Sequence, residues 1–276
     1  MSIPGTLRIK GLRVGYCSIC GMYGDLTHDH VPPKGGMKMK PVEIRTLAQA
    51  YYGSPTKAIV SQNGVKFRTL CGRCNNELLG TKYDPELRNF TDQVSLFLRN
   101  LIESNIYFPP NQPFQIRTQR VVRAIVGHLL AAFLPDDTSR PQPASPAYDS
   151  LRSYFLDDNE PIPKELSIYI WLYPVKDQII IRGFGLSSIR GSGTIVGDII
   201  KFFPMAYWLV WEQPTTANIN QIQLGARKNM GIDETEIIII DFSKIPSRSF
   251  PESPKDDEFV LLNDQFSSSS ELRRRI

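Results

Sequence analysis

Cysteine and histidine are scarce in this chain of 276 residues, with four of the first and three of the second. A chain of this length buries a sizeable core without disulfide help, so a small secreted scaffold is excluded. Long apolar runs are also missing. The greasiest stretches, Ile237–Ile240 and Ala206–Trp211, are strand-sized, well short of the roughly eighteen residues a membrane helix needs. Met1–Lys10 lacks the apolar centre of a secretion signal, and a soluble, non-membrane protein is expected. With 41% hydrophobic and 22% charged residues, the composition is that of a globular protein rather than a disordered one. The length suggests about two domains or one large one.

The net charge of +4 conceals an uneven distribution. Residues 1–84 hold 12 Lys and Arg against 5 acids, a balance of +7, and the remainder carries −3. A basic part fused to a mildly acidic one points to a polyanionic partner for the first, although solubility alone also produces such a bias.

The four cysteines form two C-x-x-C pairs, Cys17/Cys20 and Cys71/Cys74, about fifty residues apart. A thiolate pair at that spacing clamps one side of Zn²⁺ from a tight turn, and two pairs complete a closed tetrahedral site. A thioredoxin-like redox motif needs a single pair beside a βαβ unit, so two pairs with none left over do not fit it. Thiols kept for zinc imply a reducing compartment, and a cytoplasmic location is expected. Two of the three histidines lie between the pairs, in Thr27-His28-Asp29-His30-Val31-Pro32-Pro33-Lys34. A carboxylate flanked by imidazoles offers a hard metal ligand and a base of near-neutral pKa. A plain turn before the two prolines, or a His replacing a zinc Cys, are the competing explanations. His128 sits in an apolar helical pattern and reads as a packing residue.

Cys-x-x-Cys, an Asp-His dipeptide entering a Pro-containing loop, then Leu70-Cys71-x-x-Cys74-Asn75 together resemble the zinc-containing HNH endonucleases. The likeness is to the group that includes phage endonuclease VII and acts on branched DNA. It covers roughly residues 12–85. It implies a treble-clef zinc scaffold holding a ββα-metal site, with Cys17, Cys20, Cys71 and Cys74 on structural Zn²⁺. Asp29 and Asn75 match the ligands of a catalytic Mg²⁺ or Mn²⁺, and His30 matches the general base. One element departs: where the family often has an Asn that orients the catalytic His, Lys66 stands, with Asn63 the nearest amide.

The chemistry explains the residue types. One carboxylate and one amide leave several coordination positions for water and phosphate, as a hard octahedral cation prefers, and a His near neutrality deprotonates the attacking water. Neighbours on a strand point to opposite faces, so Asp29 and His30 reach one phosphate only if the backbone bends. His28, Lys34, Lys38 and Lys40 are candidate nucleic-acid contacts. Asp84 is either an extra metal contact or, more simply, a cap for the helix that follows.

Beyond Asp84, apolar residues at helical spacing predict one helix of about twenty residues and a second from about Gln115 to Leu134. Residues 135–146 read as a linker. Strands are expected at Leu166–Tyr173, Gln178–Phe184, Ala206–Trp211 and Glu236–Phe242, the first two as a hairpin. Gly191-Ser192-Gly193-Thr194 reads as a turn, and the tail from Asp264 as mobile. The expected class is α+β: an HNH domain over 1–84, a helical segment over 85–134, and a smaller α+β domain with an antiparallel sheet over 147–263. That last domain carries no chemical motif and could serve as a specificity module, a dimer interface or a partner surface. The expected function is a metal-dependent DNA endonuclease, by family association a microbial restriction or anti-phage effector. The alternative is an inactive treble-clef module that binds nucleic acid or protein. A cross-brace, ubiquitin-ligase-type domain needs a second full zinc set, and only His28, Asp29 and His30 remain for it.

Overall fold

The computed structural model describes residues 11–33, 40–52, 58–104, 108–132, 138–188, 193–211, 219–254, 257–263 and 267–273. The first Cys pair lies between β1 (Val14–Tyr16) and β2 (Tyr23–His30), which form an antiparallel hairpin. Gly21 takes a φ of 70° beside Cys20, a left-handed turn that a side chain resists. After β3 (Val42–Thr46), α1 (Leu47–Tyr52) and β4 (Ile59–Ser61), β5 (Lys66–Cys71) pairs with β2 and completes a three-stranded sheet. After the second pair the chain winds wider than an α-helix, as a π-helix over Arg73–Tyr83 that runs into α2 (Asp84–Glu103). At its end the Asp84 N–H reaches back five residues to the Leu79 carbonyl.

The second helix starts later than the expected Gln115. Asn111–Ile116 is a strand, β6, and α3 covers Thr118–Ala131. Pro113 cannot donate to a helix, and Phe114 and Ile116 are buried while Pro113 and Gln115 are exposed, a period of two. α4 (Pro146–Leu156) follows, then β7 (Leu166–Leu172), β8 (Gln178–Ser188), β9 (Thr194–Phe202), β10 (Met205–Trp211), β11 (Ile222–Leu224), β12 (Glu236–Asp241), β13 (Glu258–Leu261) and β14 (Ser268–Leu272). β12 pairs with β6. The others join β3 and β4 in a nine-stranded sheet of order β11-β7-β10-β9-β8-β14-β3-β4, with β13 on β8.

Two expectations are corrected here. β7 and β8 are not a hairpin. β7 pairs along all seven residues with β10, from Leu166↔Trp211 to Leu172↔Met205, and β8 pairs with β9 instead. Each of these strands is apolar on both faces, so neighbourhood in sequence did not decide the pairing. The tail expected to be mobile supplies β14, which lies between β8 and β3 with Ser268, Ser269 and Ser270 buried. Its stabilisation comes from backbone ladders on both sides, to which a serine run contributes no apolar signal. β3 and β4, from within residues 1–84, are likewise hydrogen-bonded into the sheet of the C-terminal half.

Alternation along β7 explains how the sheet is sandwiched. Leu166, Ile168, Ile170 and Leu172 join the main core with α3, while Tyr169 and Trp171 join a second core with Trp208 and Phe184 on the other face. α3 is the spine of the main core. It touches the π-helix, α2, α4, β2, β5 and β9, and all its residues but Arg120 are buried. Gly127 is needed there, since a Cβ would lie 2.5 Å from Phe155 and 2.7 Å from Leu79. No helix among the described residues is long and apolar enough to cross a membrane.

Candidate functional site

Cys17, Cys20, Cys71 and Cys74 come together with all four Sγ atoms within 4.8 Å of one another. The Cys20 and Cys71 sulfurs are 3.7 Å apart. Zinc–sulfur bonds of about 2.3 Å space tetrahedral sulfurs about 3.8 Å apart, so the cluster fits the ion in donor type and size. The first turn is closed by Cys17 N–H to Met22 O and Gly21 N–H to Cys17 O, both 2.9 Å. Hydrogen bonding from Cys74 lowers the Cys17 thiol to about 5, while burial pushes Cys20 up to about 11.

The carbonyls that end α3 are met by three side chains from three elements. Arg182 of β8 donates to Leu129 O, Ser18 of the first Cys turn to Leu130 O at 2.8 Å, and Thr69 of β5 to Ala131 O at 2.6 Å. A helix end buried in a core needs such partners. Thr69 can serve because β5 bulges there: Thr27 opposes Leu70 and His28 opposes Arg68, leaving Thr69 unpaired in the ladder.

The bulge also sets the expected site residues. Asp29 faces inward and is 6% exposed. Its Oδ2 lies 2.9 Å from Nδ1 of His128, and Nε2 of the same ring lies 2.9 Å from Asp84 Oδ1. Carboxylates on both ring nitrogens call for a proton on each. Burial works against the charged imidazole, but Asp29 and Asp84 outweigh it and push its pKa up to about 10. His128, expected to be a packing residue, is therefore the centre of an Asp–His–Asp relay, and Asp84, weighed as an extra metal contact or a helix cap, is one of its ends. An imidazole alone among apolar residues of a buried helix was the available signal, because such a ring requires partners.

Asn75, in the first turns of the π-helix, is buried and donates Nδ2 to Thr27 Oγ1 at 2.8 Å and to His28 O at 3.0 Å. With the nitrogen engaged on the backbone carbonyl that precedes Asp29, the amide keeps its oxygen for other use. His28 and His30 belong to the opposite register of β2. His28 is exposed and accepts Arg68 Nε at 3.0 Å, and His30 is paired across the ladder with Lys66. Partial burial, then Arg68 and Lys66, lower the His28 pKa and keep the ring neutral. Lys66 thus stands opposite His30, and Asn63 is exposed in the turn before β5. Arg68, opposite His28, was not singled out from the sequence. Lys40 is exposed, whereas Lys34 and Lys38 lie outside the described residues.

The arrangement has two sides. Inward, a carboxylate, an amide and a charged relay provide hard oxygen ligands held by fixed partners. Outward, two imidazoles stand opposite a lysine and an arginine, groups suited to accept a proton and to meet phosphate. No family model, no curated protein and no solved structure matches this chain.

Proposed function

We propose that the chain is a metal-dependent endonuclease of the HNH type, built on a treble-clef zinc scaffold and acting on DNA. The observation that carries this reading is the pair of hydrogen bonds from Asn75 to Thr27 and His28, which ties the start of the helix after the second Cys pair to the strand bearing Asp29 and His30. Asp29 and Asn75 would hold Mg²⁺ or Mn²⁺ through oxygen, a donor set that suits a hard cation. Such an ion supplies charge relief on the scissile phosphate and the departing oxygen. His30 lies on the face of β2 opposite Asp29, so in this reading β2 bends to bring both to one phosphate; His30 then takes the proton of the attacking water, whose oxygen forms the new bond to phosphorus as the bond to the 3′ oxygen breaks. Arg68, Lys40 and His28 contact the phosphate backbone, with Lys34 and Lys38 as further candidates. His128 fixes one oxygen of Asp29 and so orients the other. An antiviral role rests on the resemblance alone, and a location in the cytoplasm on the reducing compartment that zinc thiolates need.

The burial of Asp29 and its bond to His128 favour a second reading, an inactive zinc module that binds nucleic acid or a protein. Cleavage of plasmid, single-stranded and branched DNA with Mg²⁺, Mn²⁺ or EDTA separates the two. Metal-dependent cutting by the wild type supports the nuclease, and DNA binding without cutting in any metal supports the module.

A further inference from the structure

β6 and β12 form a two-stranded ribbon outside the large sheet, and among the described residues no second strand pairs with β12. On the inner face of β12, Ile238 and Ile240 join the main core with Phe114 and Ile116 of β6. On its outer face Ile237 and Ile239 stand 68% and 60% exposed. The ladder shows which backbone groups stay open. Phe242 N–H bonds to Pro110 O at 2.8 Å, and hydrogen-bonded pairs alternate along antiparallel strands. In the register that runs from Glu236↔Ile116 to Asp241↔Asn111, the ladder bonds therefore belong to Glu236, Ile238 and Ile240. Ile237, Ile239 and Asp241 point their N–H and C=O away from β6. Of these, the Asp241 carbonyl is met by Lys244 N–H at 3.2 Å.

The two edges of the ribbon are not equivalent. On β6 the outward groups are those of Asn111, Pro113 and Gln115, and Pro113, in the middle, has no N–H to offer. β12 has no proline, lysine or bulge between Glu236 and Asp241. An exposed apolar strand without such a guard is a template for another strand. Its own sequence suits it. When two copies are laid antiparallel about Ile238, Ile237 of one and Ile239 of the other make a hydrogen-bonded pair, twice by symmetry. Both exposed isoleucines then meet isoleucine. Asp241 stands opposite Thr235 and Glu236 opposite Ile240, so no like charges face each other. A shift of two residues in either direction sets an exposed isoleucine against Asp241 or Thr235 instead. We propose that two copies of this chain associate through antiparallel β12 strands, joining their ribbons into one four-stranded sheet across a two-fold axis. The interface is small, so the association is weak, with a dissociation constant in the micromolar range. The inference is independent of the nuclease reading.

Sedimentation velocity of the full chain from about 1 to about 300 μM tests it. Monomer is expected at the low end and a reversible dimer, with nothing larger, at the high end. Ile239→Pro removes an outward N–H that the β6 ladder does not use, and Ile237→Lys places a charge on the edge. Each is expected to weaken dimerisation at least about tenfold, with the urea unfolding midpoint close to that of the wild type. Cysteine cross-linking reads the register. A hydrogen-bonded pair sets its Cα atoms about 5.5 Å apart, within reach of a disulfide. An equal mixture of Ile237→Cys and Ile239→Cys chains is therefore expected to cross-link above the wild-type background, and neither variant by itself. Monomer at every concentration, a dimer unaffected by either edge variant, or a mixture no more cross-linked than each variant alone overturns the proposal. None of these outcomes bears on DNA cleavage, and loss of the nuclease reading leaves them informative.

Discussion

The three-stranded sheet buries Leu26, Phe67 and Leu70 beside the polar Asp29 and Thr69, whereas β7 and β10 bury side chains on both faces along nearly their whole length. The large sheet is held by hydrophobic burial, which is tolerant of pairing order as long as both faces stay covered. The small sheet adds only a few apolar side chains to the main core and is joined to it by hydrogen bonds into the end of α3, beside a cysteine cluster that could hold a metal. The difference explains where precise geometry resides. Thr69, Ser18 and His128 fix the small sheet against one helix end, and Asp29 of the proposed site lies on one of those contacts.

The comparison breaks most directly at the cysteines. Cys71→Ser is expected to take zinc content from one ion per chain to none and to unfold the β1-β2-β5 sheet, since structural zinc contributes on the order of 10 kcal/mol to such units. Elemental analysis together with amide exchange checks this, and exchange in β7–β10 should stay slow. His128→Ala acts on the joint between the two regions. It leaves Asp29 and Asp84 facing each other across a cavity without their shared cation, and the expected loss is about 3–5 kcal/mol in urea unfolding. Gly127→Ala places a methyl against Phe155 and Leu79, and overpacking of that kind costs about 1–3 kcal/mol, read as a lower unfolding midpoint.

The smallest effect concerns Asp158, which accepts Tyr83 OH at 2.8 Å and pairs with Lys82. Burial alone would raise its pKa, but Lys82 and Tyr83 outweigh burial and hold the carboxyl below its usual range. A carboxyl depressed in the folded state stabilises above its unfolded pKa, near 3.9, and loses that contribution as pH falls through the folded value. Asp158→Asn should therefore cost about 0.5–1 kcal/mol at pH 7 and nothing in strong acid. A stability profile parallel to the wild type through the acid range would show that the pair contributes nothing.

How much of this was legible in the sequence follows the same division. The cysteine cluster was readable because four cysteines in two pairs leave one simple chemical arrangement. The strand segments were readable from their Ile, Tyr and Trp content, but not their partners, because a strand apolar on both faces fits several neighbours. β14 was hidden since its serines carry no hydrophobic signal and its place is set by Arg45 and Ile179, far away in sequence. In the site, Asp29, His30 and Asn75 stood in motifs, whereas His128 lies about a hundred residues beyond Asp29 and enters only through folding. Arg68 and Lys66 were set opposite the two histidines by a bulge that no spacing announces.

In the proposed reading His30 performs the chemistry, while the cysteines and His128 hold structure. The most direct measurement is metal-dependent DNA cleavage by wild type and His30→Ala, with zinc content and DNA binding measured on the same samples. The account predicts cutting with Mg²⁺ or Mn²⁺ that falls at least about a hundredfold in the variant, as loss of a general base implies, with zinc and binding unchanged. Cleavage by His30→Ala equal to that of the wild type would contradict it.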